Sequence, residues 1–107
     1  MQTLTRTEVE KKIANHDSVT LLEALPERFY RDGHLPCALH MPHDQVDAIA
    51  ARLLPDKSAE IVVYCASTTC QNSHVAARRL SQLGYTNVAV YSGGKTEWQD
   101  AGLPLEH

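Results

Sequence analysis

IVVYCASTTCQNSHVAARRL, residues 61–80, changes character twice. Ile61, Val62 and Val63 open a compact apolar run that carries on through Tyr64 to Cys65. A short β-branched run of this kind suits a strand covered on both faces. The polar stretch Ala66, Ser67, Thr68, Thr69, Cys70, Gln71, Asn72 follows and reads as a loop. From about Ser73 the pattern is helical, because Ala76, Leu80 and Leu83 recur at i, i+4 and i+7, and Gly84 closes the segment. The stretch is therefore strand, loop and helix, with Cys65 at the strand's carboxyl end and Cys70 in the loop.

The same reading extends in both directions. Thr5 and Glu8 form a capping-box pattern for a helix to about Asn15. SVTLLEAL, residues 18–25, reads as a strand through Val19, Thr20, Leu21 and Leu22. Pro26 is placed at the first position of a short helical turn that Gly33 ends. CALHM, residues 37–41, is a short strand closed by Pro42, and Val46, Ile49, Ala50 and Leu53 mark a helix ended by Pro55 and Asp56. NVAVY, residues 87–91, is another buried strand, and GGKTEWQDAG, residues 93–102, turns into a last helix carrying Trp98. Strands alternating with helices of this length indicate βαβ units, hence an α/β sandwich with a parallel sheet and helices on both faces.

A chain of 107 residues makes one domain with its own core, taken here as residues 1–104. Residues 105–107, Leu-Glu-His, are read as an expression-tag remnant, and His107 is left out of the site. The net charge of −3 without a basic block argues against nucleic acid or an anionic membrane as partner. No apolar run approaches the roughly 20 residues of a membrane helix. The polar start MQTLTRTEVEKK is no signal peptide, so a cytoplasmic location is expected. Three cysteines are too few, and odd in number, for a disulfide framework.

In an open parallel sheet, ligands bind beyond the carboxyl ends of the strands, where Cys65 lies. Amide groups of the loop and the helix start can face an anion there. A thiol in that cradle is expected to have a lowered pKa and to act as a nucleophile. The alternative is a small buried residue at a strand end. Cys70 can be a second nucleophile, a resolving thiol or incidental. Zinc is disfavoured, since Cys65 and Cys70 are separated by four residues and the nearest histidine, His74, is on the next helix. A cysteine phosphatase needs a guanidinium on its phosphate. The loop has only the hydroxyls of Ser67, Thr68, Thr69 and Ser73, and Arg78 and Arg79 follow a turn or more later, facing solvent.

Three stretches resemble the rhodanese-like, or sulfurtransferase, family. GHLPCALHMP, residues 33–42, is similar to the family's GHIPGAxxIP. VVYC, residues 62–65, matches the strand leading into its active-site loop, and residues 84–104 resemble its closing GYxxVxxxxGGxxxWxxxGxP. The resemblance implies a central parallel sheet of about five strands. It implies that Cys65 takes a sulfane sulfur from thiosulfate or a small persulfide, holds it as a persulfide over the loop of residues 66–73, and yields it to a thiol or protein acceptor. No metal or organic cofactor is implied, and the oligomeric state stays open. The rival functions are a non-catalytic module of the same family that binds a partner protein and, more remotely, a phosphatase or arsenate reductase.

The chain departs from the family at several points. Its loop is about two residues longer than C-x-x-G-x-R-S and lacks the glycine and the basic residue. The family's DxR is Glu23-Ala24-Leu25, which loses the arginine, and Cys37 stands for a glycine, read as a small apolar substitution. These departures weigh against the thiosulfate dianion as donor. His34 is expected to hold its turn by hydrogen bonds, His40 and His43 to be loop residues, Gly93 and Gly94 to turn with φ > 0, and Trp98 to pack in the core. A resolving role for Cys70 requires its Cα to lie about 4.4–6.8 Å from that of Cys65.

Overall fold

The computed structural model describes residues 2–15 and 18–107. The elements follow in the order β1 (Gln2–Leu4), α1 (Arg6–Ala14), β2 (Val19–Glu23), α2 (Glu27–Asp32), β3 (Leu39–His40), α3 (Val46–Leu53), β4 (Glu60–Tyr64), α4 (Asn72–Gln82), β5 (Val88–Tyr91) and α5 (Gly94–Asp100). One five-stranded sheet runs in the order β1-β5-β4-β2-β3, with every pairing parallel. β4 is central, and its register pairs Val63 with Leu22 on one side and with Val90 on the other.

Side chains alternate across the strands, so each face builds its own core. Ile61, Val63, Leu22 and Val90 pack against Ala50 of α3 and Ala76, Ala77 and Leu80 of α4. Val62, Tyr64, Leu21 and Tyr91 pack on the other face against Val9 of α1, Leu35 and Trp98 of α5. Small residues on α4 let the helix lie close to β4, the strand that delivers Cys65.

The α/β sandwich and its five parallel strands are as expected. The fifth strand, however, is β1, which the polar opening of the chain conceals: Leu4 is its only buried residue, and it pairs with β5 at the sheet edge. The capping box of Thr5 and Glu8 is present. Pro26 is the N-cap of α2, one position before the expected one. Residues 105 and 106 pack onto the domain. Leu105 lies against the second core, and Glu106 exchanges backbone hydrogen bonds with His34 at 2.8 and 2.9 Å.

Candidate active site

Cys65 follows the last residue of β4 and is 1% exposed. Its Sγ lies 3.4 Å from the Cys70 carbonyl oxygen, to which the thiol donates, and 3.4 Å from the Ser73 hydroxyl. The loop is folded to make this possible. The Cys70 amide donates to the Ser67 carbonyl at 3.1 Å, a turn that brings Cys70 back over the strand end. Ser67 and Thr69 share a hydroxyl hydrogen bond at 3.1 Å. Ala66 and Cys70 are half-buried, while Thr68, Thr69 and Gln71 are exposed. Asn72 begins α4, and Ser73 is buried in its first turn.

The expected lowering of the Cys65 pKa is not found. Burial pushes the thiol up, and a hydrogen bond with the Cys70 side chain adds to the rise. The hydroxyl and amide of Ser73 act in the opposite direction, since both stabilise a thiolate. Burial dominates because the sulfur sits under the loop instead of at its open face.

The start of α5 forms the wall behind the loop. The Lys95 amide donates to the Cys65 carbonyl at 3.0 Å, and the Thr96 amide to the Ala66 carbonyl at 2.9 Å. Gly94 has φ +66, and a Cβ there would lie 2.5 Å from the Cys65 carbonyl oxygen. Only glycine allows this approach without displacing the strand end that carries Cys65. Gly93 has an ordinary φ of −66, so the positive φ expected of both glycines belongs to Gly94 alone.

A buried polar cluster lies beside this wall, and the sequence did not reveal it. Glu23 is fully buried at the end of β2. Its Oε1 accepts from the Tyr64 hydroxyl at 2.8 Å and lies 3.0 Å from the Lys95 ammonium. Lys95 also donates to the Phe29 carbonyl at 2.6 Å, and the Tyr64 hydroxyl accepts from the Leu35 amide at 3.0 Å. Burial and the Glu23 carboxylate raise the Tyr64 pKa, which keeps the phenol protonated as a donor. The cluster touches Cys65 from two sides in the chain, through its neighbour Tyr64 and through the Lys95 amide. Two features of the sequence point toward it, the missing arginine after Glu23 and the lysine that follows Gly93-Gly94.

The other candidates fall as follows. Arg78 is exposed, and Arg79 forms a two-pronged ion pair with Asp47 at 2.6 and 2.7 Å, so neither guanidinium joins the loop. His34 stacks on Tyr30, and its Nδ1 lies 3.1 Å from the Tyr30 carbonyl, as a turn-holding residue should. His40 ends β3, in keeping with the strand read at residues 37–41 and not with a loop position, and its Nε2 lies 2.6 Å from the Leu25 carbonyl. Trp98 is 3% exposed and donates to the Pro104 carbonyl. Cys37 is exposed with φ +66, so it is no buried apolar substitute. It occupies the left-handed conformation that favours glycine at this motif position.

A shallow cleft of about 240 Å³ opens beside the loop, lined by Ser67, Thr68, Gly93, Thr96, Glu97 and Asp100. Its charged groups are two carboxylates. A larger cavity of about 350 Å³, between Pro26, His40, His43 and Ile49, includes no loop residue.

The family model of the rhodanese-like domain matches residues 5–101. The chain is 33% identical over 88 residues to the HTH-type transcriptional regulator Rv0324 of Mycobacterium tuberculosis, covering 82% of this chain but 38% of that protein. It is 26% identical over 107 residues to the thiosulfate:glutathione sulfurtransferase of Saccharomyces cerevisiae, covering 89% of this chain and 76% of that one. A thiosulfate sulfurtransferase structure from Pseudomonas aeruginosa superposes with a TM-score of 0.86 at 26% identity, over 98% of this chain and 20% of the other.

Proposed function

From the premise that this chain belongs to the rhodanese-like domain family, we propose that it is a sulfurtransferase that carries sulfane sulfur as a persulfide on Cys65. The coarser part, a role in sulfur transfer, is supported by the family match and the sulfurtransferases among its relatives. The observation that carries the finer part is the setting of the Cys65 sulfur. It lies at the carboxyl end of the central strand, 3.4 Å from the Ser73 hydroxyl, and the Ser73 hydroxyl and amide both act to lower its pKa. Both groups donate to an anionic sulfur more strongly than to a neutral thiol.

The Cys65 thiolate attacks the outer sulfur of a donor persulfide R–S–SH. A bond forms between Sγ and that sulfur, the donor's S–S bond breaks, and its electron pair leaves with the thiolate R–S⁻. An acceptor thiol repeats the exchange and regenerates Cys65. The donor is of low charge. The cleft beside the loop carries Glu97 and Asp100, and the nearby cation Lys95 is held by the buried carboxylate of Glu23. A dianion such as thiosulfate therefore meets no unneutralised cation there.

One observation favours a second reading, a non-catalytic module that binds a partner protein: Cys65 is 1% exposed and its thiol is pushed up. Steady-state transfer from glutathione persulfide to a small thiol separates the two. Transfer lost in Cys65→Ser supports the enzyme, and transfer equal to background in the wild type supports the binding module.

A further inference from the structure

The Cys65 persulfide has a neighbour that the transfer reaction does not use. The Cys70 carbonyl accepts the Cys65 thiol hydrogen bond at 3.4 Å, because the Ser67–Cys70 turn doubles the loop back on the strand end. Cys70 also contributes to the upward shift of the Cys65 thiol, after burial. Cys65 is buried, while Cys70 is half-buried, so the two cysteines differ in their access to solvent. Four residues separate the two, and the turn, not chance, brings them together. A persulfide formed on Cys65 would therefore stand beside a second, more accessible cysteine.

We propose that Cys70 resolves the Cys65 persulfide, closing a Cys65–Cys70 disulfide and releasing hydrosulfide, so that the domain reduces persulfides whenever no acceptor is docked. The proposal rests on the Cys65 persulfide argued above and adds a second fate for it. The lone pair of the Cys70 thiolate forms a new bond to the Cys65 Sγ. The bond between Sγ and the outer sulfur breaks, and its electron pair leaves with that sulfur as HS⁻. The sulfane sulfur is reduced to sulfide, and the two cysteines are together oxidised by two electrons. The proton of Cys70 passes to solvent on the exposed side of the loop. A small thiol or dithiol reductant then attacks the disulfide at the accessible Cys70 sulfur and restores both thiols. Proximity favours this path over attack by a free thiol, since well-placed intramolecular groups reach effective molarities of about 10⁵ M or more.

Residues 58–78 form one tryptic peptide that contains both cysteines. The test loads the wild type and Cys70→Ser with glutathione persulfide, removes excess donor, alkylates, and maps this peptide while sulfide is measured. The expected wild-type result is about one sulfide per chain and a peptide lighter by two hydrogens than its reduced form, with neither cysteine alkylated. Cys70→Ser should release no sulfide and keep one extra sulfur on Cys65. A wild type that keeps the extra sulfur as long as Cys70→Ser does overturns the resolving role and leaves the carrier intact. Extra sulfur resting on Cys70 also overturns it. If Cys70→Ser and Cys70→Ala both take up no sulfur, the carrier reading itself fails, and the resolving role with it.

Discussion

The Lys95 ammonium lies 3.0 Å from the buried Glu23 carboxylate, and the Lys95 backbone amide lies 3.0 Å from the Cys65 carbonyl. One residue thus neutralises the charge beneath the loop and fixes the strand end that carries Cys65. The side chain of Lys95 is 11% exposed and that of Glu23 is fully buried, so the pair sits largely outside the reach of solvent screening.

Lys95→Met leaves Glu23 as a buried carboxylate without its cation. Such a loss costs about 3–5 kcal/mol, read as a lower denaturation midpoint with an unchanged slope. Adding Glu23→Gln removes the stranded charge and should return more than half of that loss. If Lys95→Met alone is neutral, the pair does not hold the site together.

Gly94→Ala tests the close approach of α5 to the strand end. Its Cβ would meet the Cys65 carbonyl oxygen at 2.5 Å, with φ at +66. The strand end must move, and a displacement near 1 Å at a reacting group can reduce turnover about 10²-fold. Gly102→Ala is the control, since nothing lies within 4 Å of a Cβ there although φ is also positive. It should retain transfer activity while losing some stability.

Much of this architecture is legible in the sequence, for a physical reason. The run at residues 61–65 and the helical spacing of Ala76, Leu80 and Leu83 are local patterns set by burial, and they place Cys65 correctly. β1 escapes because Leu4 alone faces inward, so three residues at a sheet edge carry no alternation. The Glu23–Lys95 pair escapes because it joins the ends of β2 and α5, which only tertiary packing brings together. The direction of the Cys65 pKa is not legible in the sequence, because a strand-end cradle says how a thiolate is held but not how deeply the sulfur is buried.

The pH dependence of Cys65 alkylation follows from that burial. The thiolate is the reacting form, and a raised pKa leaves less of it at neutral pH. In the acceptor-free protein the alkylation rate of Cys65 should therefore climb with pH and still be climbing at pH 9.0, the ordinary thiol value. A plateau near neutrality would show that the loop lowers the pKa after all.

Ser73→Ala removes the hydroxyl 3.4 Å from the Cys65 sulfur. A hydrogen bond to a charged group contributes about 1.5–3 kcal/mol, so sulfur loading at fixed pH should slow by roughly tenfold or more. Ser73→Thr keeps the hydroxyl and should recover part of the rate. Equal rates in wild type and Ser73→Ala would remove Ser73 from the site.

The central claim is that Cys65 carries the sulfur, and the intact mass of the Cys70→Ser protein tests it most directly, because no second loop thiol can consume the adduct. After glutathione persulfide and removal of excess donor, that protein should be heavier by one sulfur atom, with the addition mapped to Cys65 and absent from Cys65→Ser,Cys70→Ser. An unchanged mass, or an adduct that survives the loss of Cys65, would contradict the account.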